Sequence, residues 1–192
     1  MELSAIGYRL SGVWVRIAAV VLGAILVAAA AQVSIPLPGT PVPMTLQPMA
    51  VLLVGGLLGA RLGALSMILY LAMGAAGLPV FTPTVPLFGI ARLLGPTGGY
   101  LLAYPVAAWV VGWLTPGWQP GVNKPWLRTS VAVAAGLVLI HLGGLAQLAI
   151  LTGDVSSAAR LATFPFLLGD LLKLAVLVPI LTKLTSPVRA RL

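Results

Sequence analysis

Two ionisable side chains of opposite charge, Asp170 and Lys173, stand in an apolar run that extends from residue 164 to residue 184. Because they are three residues apart, a helix presents both on one face, where they can pair or share a bound ligand. An ionisable side chain inside a membrane segment costs roughly 2.5–3.5 kcal/mol at mid-bilayer on insertion scales, so its presence there favours a functional role. The pair can be a polar clamp in a binding cavity. Alternatively, it is an ion pair that stabilises the helix, or two side chains that extend to the membrane–water interface.

The composition predicts a single-domain integral membrane protein over residues 1–192. Hydrophobic residues make up 60% of the chain and charged residues only 7%, against roughly 25% charged residues in soluble domains. A transmembrane helix takes about 20 residues, so the length permits roughly six of them. We expect an all-α bundle of six transmembrane helices with short loops, embedded in the lipid bilayer. The expected spans are at about residues 15–34, 47–60, 61–77, 97–115, 128–151 and 164–185.

The supply of reactive side chains argues against an enzyme. The sequence has no cysteine, one histidine (His141) and three acidic residues, which leaves little material for a metal site or a catalytic triad. An intramembrane enzyme that uses His141 is the weakest alternative, because a lone buried histidine is usually a hydrogen-bonded packing residue. The net charge of +8 does not predict nucleic-acid binding, since the basic residues occur singly and form no patch with exposed aromatic residues. We therefore expect no enzymatic activity, no metal, no cofactor and no nucleic-acid partner.

The first of two proline-rich segments, residues 34–48, reads SIPLPGTPVPMTLQP and carries no charge. Because proline cannot continue a regular helix, this segment is expected to follow an extended, semi-rigid path. Such a loop can form one wall of a pocket, where Thr45 and Gln47 supply hydrogen-bonding groups. Alternatively, either residue caps the next helix.

The second proline-rich segment, residues 77–96, contains Phe81, Phe88 and Arg92. Aromatic rings beside a cation can stack on a flat ligand while the guanidinium group binds a carboxylate. The same residues also fit an aromatic belt at the membrane interface with an arginine that extends to the headgroups. The sequence leaves both interpretations open.

The distribution of basic residues predicts the orientation in the membrane. With six spans, both termini and the connections near Arg61 and Lys124 lie on one side, which receives most of the basic residues, whereas Arg92 and Arg160 lie on the other. By the positive-inside rule the first side is cytoplasmic, so the proline-rich loops and the start of the last span face outward. The small residues at 28–31 also resemble a signal-peptide cleavage site, and removal of the first span would change this orientation.

Three separated stretches carry a resemblance to a known family. They are IPLPGTPVPMTLQ at residues 35–47, LGPTGGY at residues 94–100 and GDLLK at residues 169–173. Together they closely resemble the BioY family, the biotin-binding S components of energy-coupling factor (ECF) vitamin transporters. The resemblance extends from the first predicted span to the sixth.

This resemblance implies a six-helix bundle with the ECF S-component fold, in a prokaryotic cell membrane, that captures biotin from outside. It also implies a transmembrane T component and two ATP-binding cassette ATPases as partners, and these use the ATP, since the sequence contains no phosphate-binding GxxxxGK[S/T] loop. In that family the aspartate and lysine of the last motif contact the ligand, and here they are Asp170 and Lys173. Small residues of the family's first helix face the T component, and Ala24 and Ala28 match them here.

The chemistry of biotin fits these residues. Its ureido ring offers two N–H donors and one carbonyl acceptor, which a neighbouring carboxylate and ammonium group satisfy together. Its valerate carboxylate needs a cation, for which Arg92 is the outward candidate. The alternative function is a proton- or ion-coupled carrier of a small vitamin-like substrate, with the Asp170–Lys173 pair as its relay. The predicted substrate-binding residues are Asp170, Lys173, Arg92, Gln47, Phe81, Tyr100 and Gln147.

Overall fold

The computed structural model describes residues 2–115 and 124–192, with side chains described from residue 12 onward. Its helices, in chain order, are α1 (Glu2–Gln32), α2 (Gln47–Leu58), α3 (Ala60–Ala75), α4 (Ile90–Leu94), α5 (Gly98–Leu114), α6 (Pro125–Thr152), α7 (Val155–Ala162) and α8 (Leu167–Arg189). A 3₁₀ turn at Phe164–Phe166 joins α7 to α8, and strands β1 (Ser34–Ile35) and β2 (Met44–Thr45) form an antiparallel hairpin. The prediction of an all-α membrane bundle is confirmed, and the short helices α4 and α7 are additions to it.

Within the described residues, three apolar stretches are long enough to cross a bilayer, namely Gly12–Gln32, Pro125–Thr152 and Val155–Arg189. The other apolar helices are shorter, with 12 residues in α2, 16 in α3 and 17 in α5. At the usual helical rise, α2 is only about 18 Å long, well short of a hydrocarbon core about 30 Å thick. Helix α2 is therefore too short to cross the hydrocarbon core by itself.

This first proline-rich segment is ordered and attached to the bundle. Ser34 pairs with Thr45 across the short hairpin, and the Thr40 hydroxyl donates a hydrogen bond of 2.7 Å to the carbonyl oxygen of Leu161 in α7. Val42, at the tip of the segment, is only 5% exposed. The loop is consequently a fixed wall between α7 and the start of α2.

Glycine residues allow α5 and α6 to cross at close range. A Cβ atom at Gly99 would lie 2.0 Å from the carbonyl oxygen of Gly143, so neither position accepts a larger residue without separating the helices. A Cβ atom at Gly144 would lie 2.1 Å from Cζ of Tyr100, whose ring occupies that space. The crossing thereby brings the ring of Tyr100 on α5 next to His141 on α6, with ring centroids 6.2 Å apart.

At the end of the bundle where α8 finishes, Arg189 joins α8 to two other helices. Its guanidinium group donates hydrogen bonds to the carbonyl oxygens of Gly56 (2.7 Å), Gly112 (2.9 Å) and Thr115 (3.1 Å). These carbonyls belong to the last turns of α2 and α5, which lack partners within their own helices. Arg189 thus fixes the position of α8 along the helix axis. Asp170 lies in the first turn of the same helix, so its position is fixed as well.

Helix α1 is an integral part of the bundle. Ala24, Val27 and Ala31 are fully buried in the core, where α1 packs against α2 and α3. Removing this helix would expose that core. This packing agrees with the prediction that the first apolar run is a span of the bundle.

Candidate functional site

A cavity lies between the first proline-rich segment and helices α4, α5, α6 and α8. The apolar and aromatic lining consists of Val42, Pro43, Pro48, Tyr100, Leu101, Tyr104, Leu137, Ile140 and Phe166. The polar and charged lining consists of Thr45, Gln47, Thr82, Arg92, Thr97, His141, Asp170 and Lys173.

A cluster of three ionisable side chains, two of them buried and one half-buried, forms part of the lining of this cavity. Lys173 Nζ lies 2.8 Å from Asp170 Oδ1, and His141 Nε2 lies 2.5 Å from Asp170 Oδ2. Asp170 is 8% exposed and Lys173 is 7% exposed, so solvent contributes little to stabilising their charges. The i,i+3 spacing on α8 places Asp170 and Lys173 together, as predicted. The carboxylate thus lies between a lysine nitrogen and a histidine ring nitrogen.

His141 was not among the predicted site residues, although it lines the cavity and contacts Asp170 directly. From the sequence alone this residue is expected to be a hydrogen-bonded packing residue, the usual role of a lone buried histidine. The composition nevertheless indicates a partner for it. Ionisable groups within membrane segments tend to pair, and the chain has only three acidic residues that could pair with its one histidine. The contact joins residues 29 positions apart, so only the packing of α6 against α8 reveals it.

Arg92 lines the cavity from α4 and is 1% exposed. Its guanidinium donates hydrogen bonds from Nη1 to the Val85 carbonyl (2.6 Å) and from Nη2 to the Thr82 carbonyl (3.0 Å), which fixes the second proline-rich loop. Among the described residues, Arg92 has no carboxylate within salt-bridge distance and its Nε has no hydrogen-bond partner. Burial lowers the pKa of this guanidinium from its ordinary value, a desolvation cost that an anionic ligand would offset.

Gln47 also lines the cavity and is held by a polar network at the start of α2. Its Nε2 donates to the Tyr70 hydroxyl at 2.5 Å, and its Oε1 accepts from the Thr45 hydroxyl at 3.3 Å. Tyr70 in turn donates to the carbonyl oxygen of Val80 at 3.2 Å. The network links both proline-rich segments to α2 and α3 around the cavity.

Tyr100 contributes its ring to the cavity wall beside Phe166 and His141. Its hydroxyl donates a hydrogen bond to the carbonyl oxygen of Ala162 at the end of α7. The tyrosine therefore joins α5 to α7 while its ring faces the site.

Two other predicted substrate-binding residues do not line this cavity. Phe81 packs edge-on against Tyr70, with ring centroids 5.5 Å apart, and covers Gly74, where a Cβ atom would lie 2.1 Å from the Phe81 ring. Gln147 donates from Nε2 to the carbonyl oxygens of Leu93 (3.0 Å) and Gly95 (2.7 Å) at the end of α4. Both side chains join loops to helices, and their contact with the substrate stays a prediction.

The two alanines that were predicted to face the T component lie on the side of α1 that packs into the bundle. Ala24 is 0% exposed in the core, and Ala28 is partly buried against it. Neither belongs to the outward face of α1, which instead carries Ala18, Leu22, Ile25 and Ala29. The small residues at positions 24 and 28 allow close packing within the bundle.

Comparison with known proteins gives concordant matches. A model described as the BioY family matches residues 8–190. The chain is 38% identical over 169 residues to the probable biotin transporter BioY of Pyrococcus horikoshii, covering 88% of this chain and 95% of that one. It is 37% identical over 151 residues to the biotin transporter BioY of Thermotoga maritima, covering 79% and 84%. A crystal structure of the S-component for biotin from an ECF-type ABC transporter superposes with a TM-score of 0.76 and 25% identity, covering 88% of this chain and 89% of that one.

Proposed function

The chain belongs to the BioY family, and we propose that it is the biotin-binding S component of an ECF-type vitamin transporter. It binds its substrate and is not an enzyme. One observation carries the proposal: a single cavity contains a buried carboxylate–ammonium pair and, separately, a buried guanidinium without a carboxylate partner among the described residues. Biotin carries the complementary groups, a ureido ring at one end and a carboxylate at the other.

The ureido ring is assigned to Asp170 and Lys173. The carboxylate accepts from a ureido N–H group, and the ammonium group donates to the ureido oxygen. Hydrogen bonds to charged partners contribute more than neutral ones, and their contribution increases in a buried site from which water is excluded. A ligand with both donors and an acceptor at one end can use both members of the pair at once.

The valerate carboxylate is assigned to Arg92. Arg92 and Thr97 both line the cavity. Nε of Arg92 and Oγ1 of Thr97 have no hydrogen-bond partner in the described parts of the chain. A buried donor without a partner costs free energy, which an accepting carboxylate would recover. The thiophane ring and the alkyl chain then lie against the apolar and aromatic lining, including Tyr104 and Phe166.

Equilibrium binding to purified protein in detergent tests this assignment. We expect wild-type protein to bind biotin and to bind biotin methyl ester about ten- to a hundredfold more weakly, because the ester lacks the charged acceptor. In Arg92→Gln the two ligands should bind with similar, reduced affinity. Since Arg92 also supports the loop, a purely structural role would weaken both ligands equally and preserve the preference for the free acid. Lack of biotin binding by wild-type protein would refute the proposed function.

The outward orientation of the site and the cytoplasmic position of both termini follow from the excess of basic residues on one side of the bundle. Because the chain has no cysteine, single-cysteine variants report accessibility directly. Phe88→Cys, at a position 78% exposed in the second proline-rich loop, should react with an impermeant thiol reagent in intact cells. Arg191→Cys should react only after the cells are opened, and the reverse pattern would overturn the orientation.

Delivery of biotin to the cytoplasm is assigned to the complex with a T component and ABC ATPases. The outward face of α1 is the surface we assign to the T component. Ala18, Leu22, Ile25 and Ala29 are exposed there at helical spacing, and small residues at the two ends of this row let another helix approach the backbone.

A further inference from the structure

Among the described residues, the tyrosines buried in the bundle core differ in the partners of their hydroxyl groups. Tyr70 accepts a hydrogen bond from Gln47 and donates one to the carbonyl oxygen of Val80. Tyr100 donates to a carbonyl oxygen at the end of α7. The hydroxyl of Tyr104 on α5 has no hydrogen-bond partner in the described parts of the chain, although this residue is only 2% exposed. Tyr104 therefore carries a buried donor that the surrounding helices leave free.

The oxygen of this hydroxyl is open to the cavity. Tyr104 lines the cavity, and its oxygen is not one of the unpartnered polar atoms that the described residues enclose completely, which include Nε of Arg92. The oxygen therefore keeps some accessible surface, and in a residue so little exposed that surface faces the cavity. A polar group that is kept from bulk water and has no partner costs free energy. A ligand with a hydrogen-bond acceptor at this point would remove that cost.

The contacts of Tyr104 place it at the end of the cavity where Arg92 lies. Its ring centroid is 6.5 Å from that of Tyr70, and the Tyr70 hydroxyl is bonded to Val80 in the second proline-rich segment. Further along this segment, the carbonyl oxygen of Thr82 accepts a hydrogen bond from Nη2 of Arg92. The guanidinium group also interacts electrostatically with the phenol of Tyr104. The Tyr104 hydroxyl thus lies toward the cation to which the valerate carboxylate is assigned.

The opposite end of the cavity has a different tyrosine. The ring centroid of Tyr100 is 6.2 Å from that of His141, which contacts Asp170. Asp170 acts electrostatically on Tyr100, whereas the charged side chain that acts on Tyr104 is Arg92. The two tyrosines stand one turn apart on α5 and therefore belong to the two polar ends of the site.

A carboxylate bound at Arg92 has room for a further donor. Some of the guanidinium N–H groups already donate to the carbonyl oxygens of Val85 and Thr82, and those that remain cannot fill every lone-pair position of two carboxylate oxygens. A phenol adds a donor that forms short, strong hydrogen bonds to anions. We propose that Tyr104 is a specificity-determining residue, whose hydroxyl donates a hydrogen bond to the carboxylate of biotin beside Arg92. This inference rests on the proposed function.

Tyr104→Phe tests the inference, because it removes the oxygen and keeps the ring. Calorimetry in detergent should show biotin bound about thirtyfold more weakly and biotin methyl ester only about threefold more weakly, since a hydrogen bond to a charged acceptor contributes more than one to a neutral acceptor. The preference for the free acid should thus fall about tenfold. Trp109→Phe is the matched control, because it removes a polar N–H group from an aromatic residue of α5 that is 46% exposed. This control should keep both wild-type affinities.

An equal loss of affinity for the two ligands in Tyr104→Phe, or no loss for either, would overturn the inference. Thermal unfolding without ligand gives the second readout. Tyr104→Phe should unfold at a temperature no lower than that of the wild type, because no hydrogen bond within the protein is lost, whereas Tyr70→Phe should unfold at a lower one. A lower unfolding temperature for Tyr104→Phe would show that the hydroxyl supports the bundle and would refute its assignment to the ligand.

The same measurements separate this inference from the proposed function. Absence of biotin binding by the wild type would refute the proposed function and the role of Tyr104 with it. Wild-type binding of biotin, together with an unchanged preference for the free acid in Tyr104→Phe, would refute only the role of Tyr104.

Discussion

Replacing Asp170 with Asn should affect ligand binding and stability in separable ways. Asp170 is 8% exposed and lies between Lys173 Nζ at 2.8 Å and His141 Nε2 at 2.5 Å. The asparagine keeps one oxygen acceptor but removes the charge. A hydrogen bond to a charged group contributes roughly 1.5–3 kcal/mol, so biotin affinity should fall about ten- to a hundredfold.

The same change leaves the ammonium group of Lys173 buried without its anion. Removing one member of a buried pair costs about 3–5 kcal/mol, whereas replacing both members by neutral groups costs much less. We therefore expect Asp170→Asn to unfold at a lower temperature in detergent than the double variant Asp170→Asn with Lys173→Gln. Neither variant should recover biotin affinity.

Calorimetry on folded protein and thermal unfolding of the same samples measure the two effects. Unchanged biotin affinity in Asp170→Asn would refute the role of the pair as a ligand clamp and leave it a structural ion pair. A double variant less stable than the single variant would refute the argument that the uncompensated ammonium group causes the destabilisation. Each result addresses one part of the reasoning.

Three further predictions concern packing and assembly. Gly144→Ala should weaken biotin binding about tenfold in calorimetry, because the added Cβ would lie 2.1 Å from the ring of Tyr100 and must displace it. The control Gly12→Ala should not weaken binding, because no atom lies within 4 Å of the added Cβ. Ala24→Leu should lower the unfolding temperature, since overpacking a core position that is 0% exposed costs about 1–3 kcal/mol. Ala18→Leu, on the outward face of α1, should keep the stability and the biotin affinity of the wild type. It should no longer co-purify with the T component or support ATP-dependent uptake. Retained uptake would contradict the assignment of this face to the T component.

The amino-acid sequence determined the features that depend on composition or on local spacing. Long continuous apolar runs predict helices, because a bilayer offers no hydrogen-bond partners to the backbone and a helix satisfies its own backbone groups. The i,i+3 spacing of Asp170 and Lys173 places them together on any helix, whatever surrounds it. The motifs at residues 35–47, 94–100 and 169–173 identified the BioY family, and with it the biotin-binding function, before any coordinates.

The tertiary structure decided which face of each helix turns inward. In a soluble protein an amphipathic stripe marks the buried face, but lipid tails are as apolar as a leucine core, so α1 is apolar on every side. The sequence therefore could not show that Ala24 faces the core and Ala18 faces outward.

The same limit applies to polar contacts between distant segments. Gln147 satisfies carbonyl groups of Leu93 and Gly95, and His141 meets Asp170 across 29 residues. Each contact depends on how two helices cross, and the crossing of α5 and α6 depends on the steric fit of Gly99 against Gly143. Steric fit between distant segments is a property of the packed bundle, because local spacing constrains only residues within a turn or two of one another.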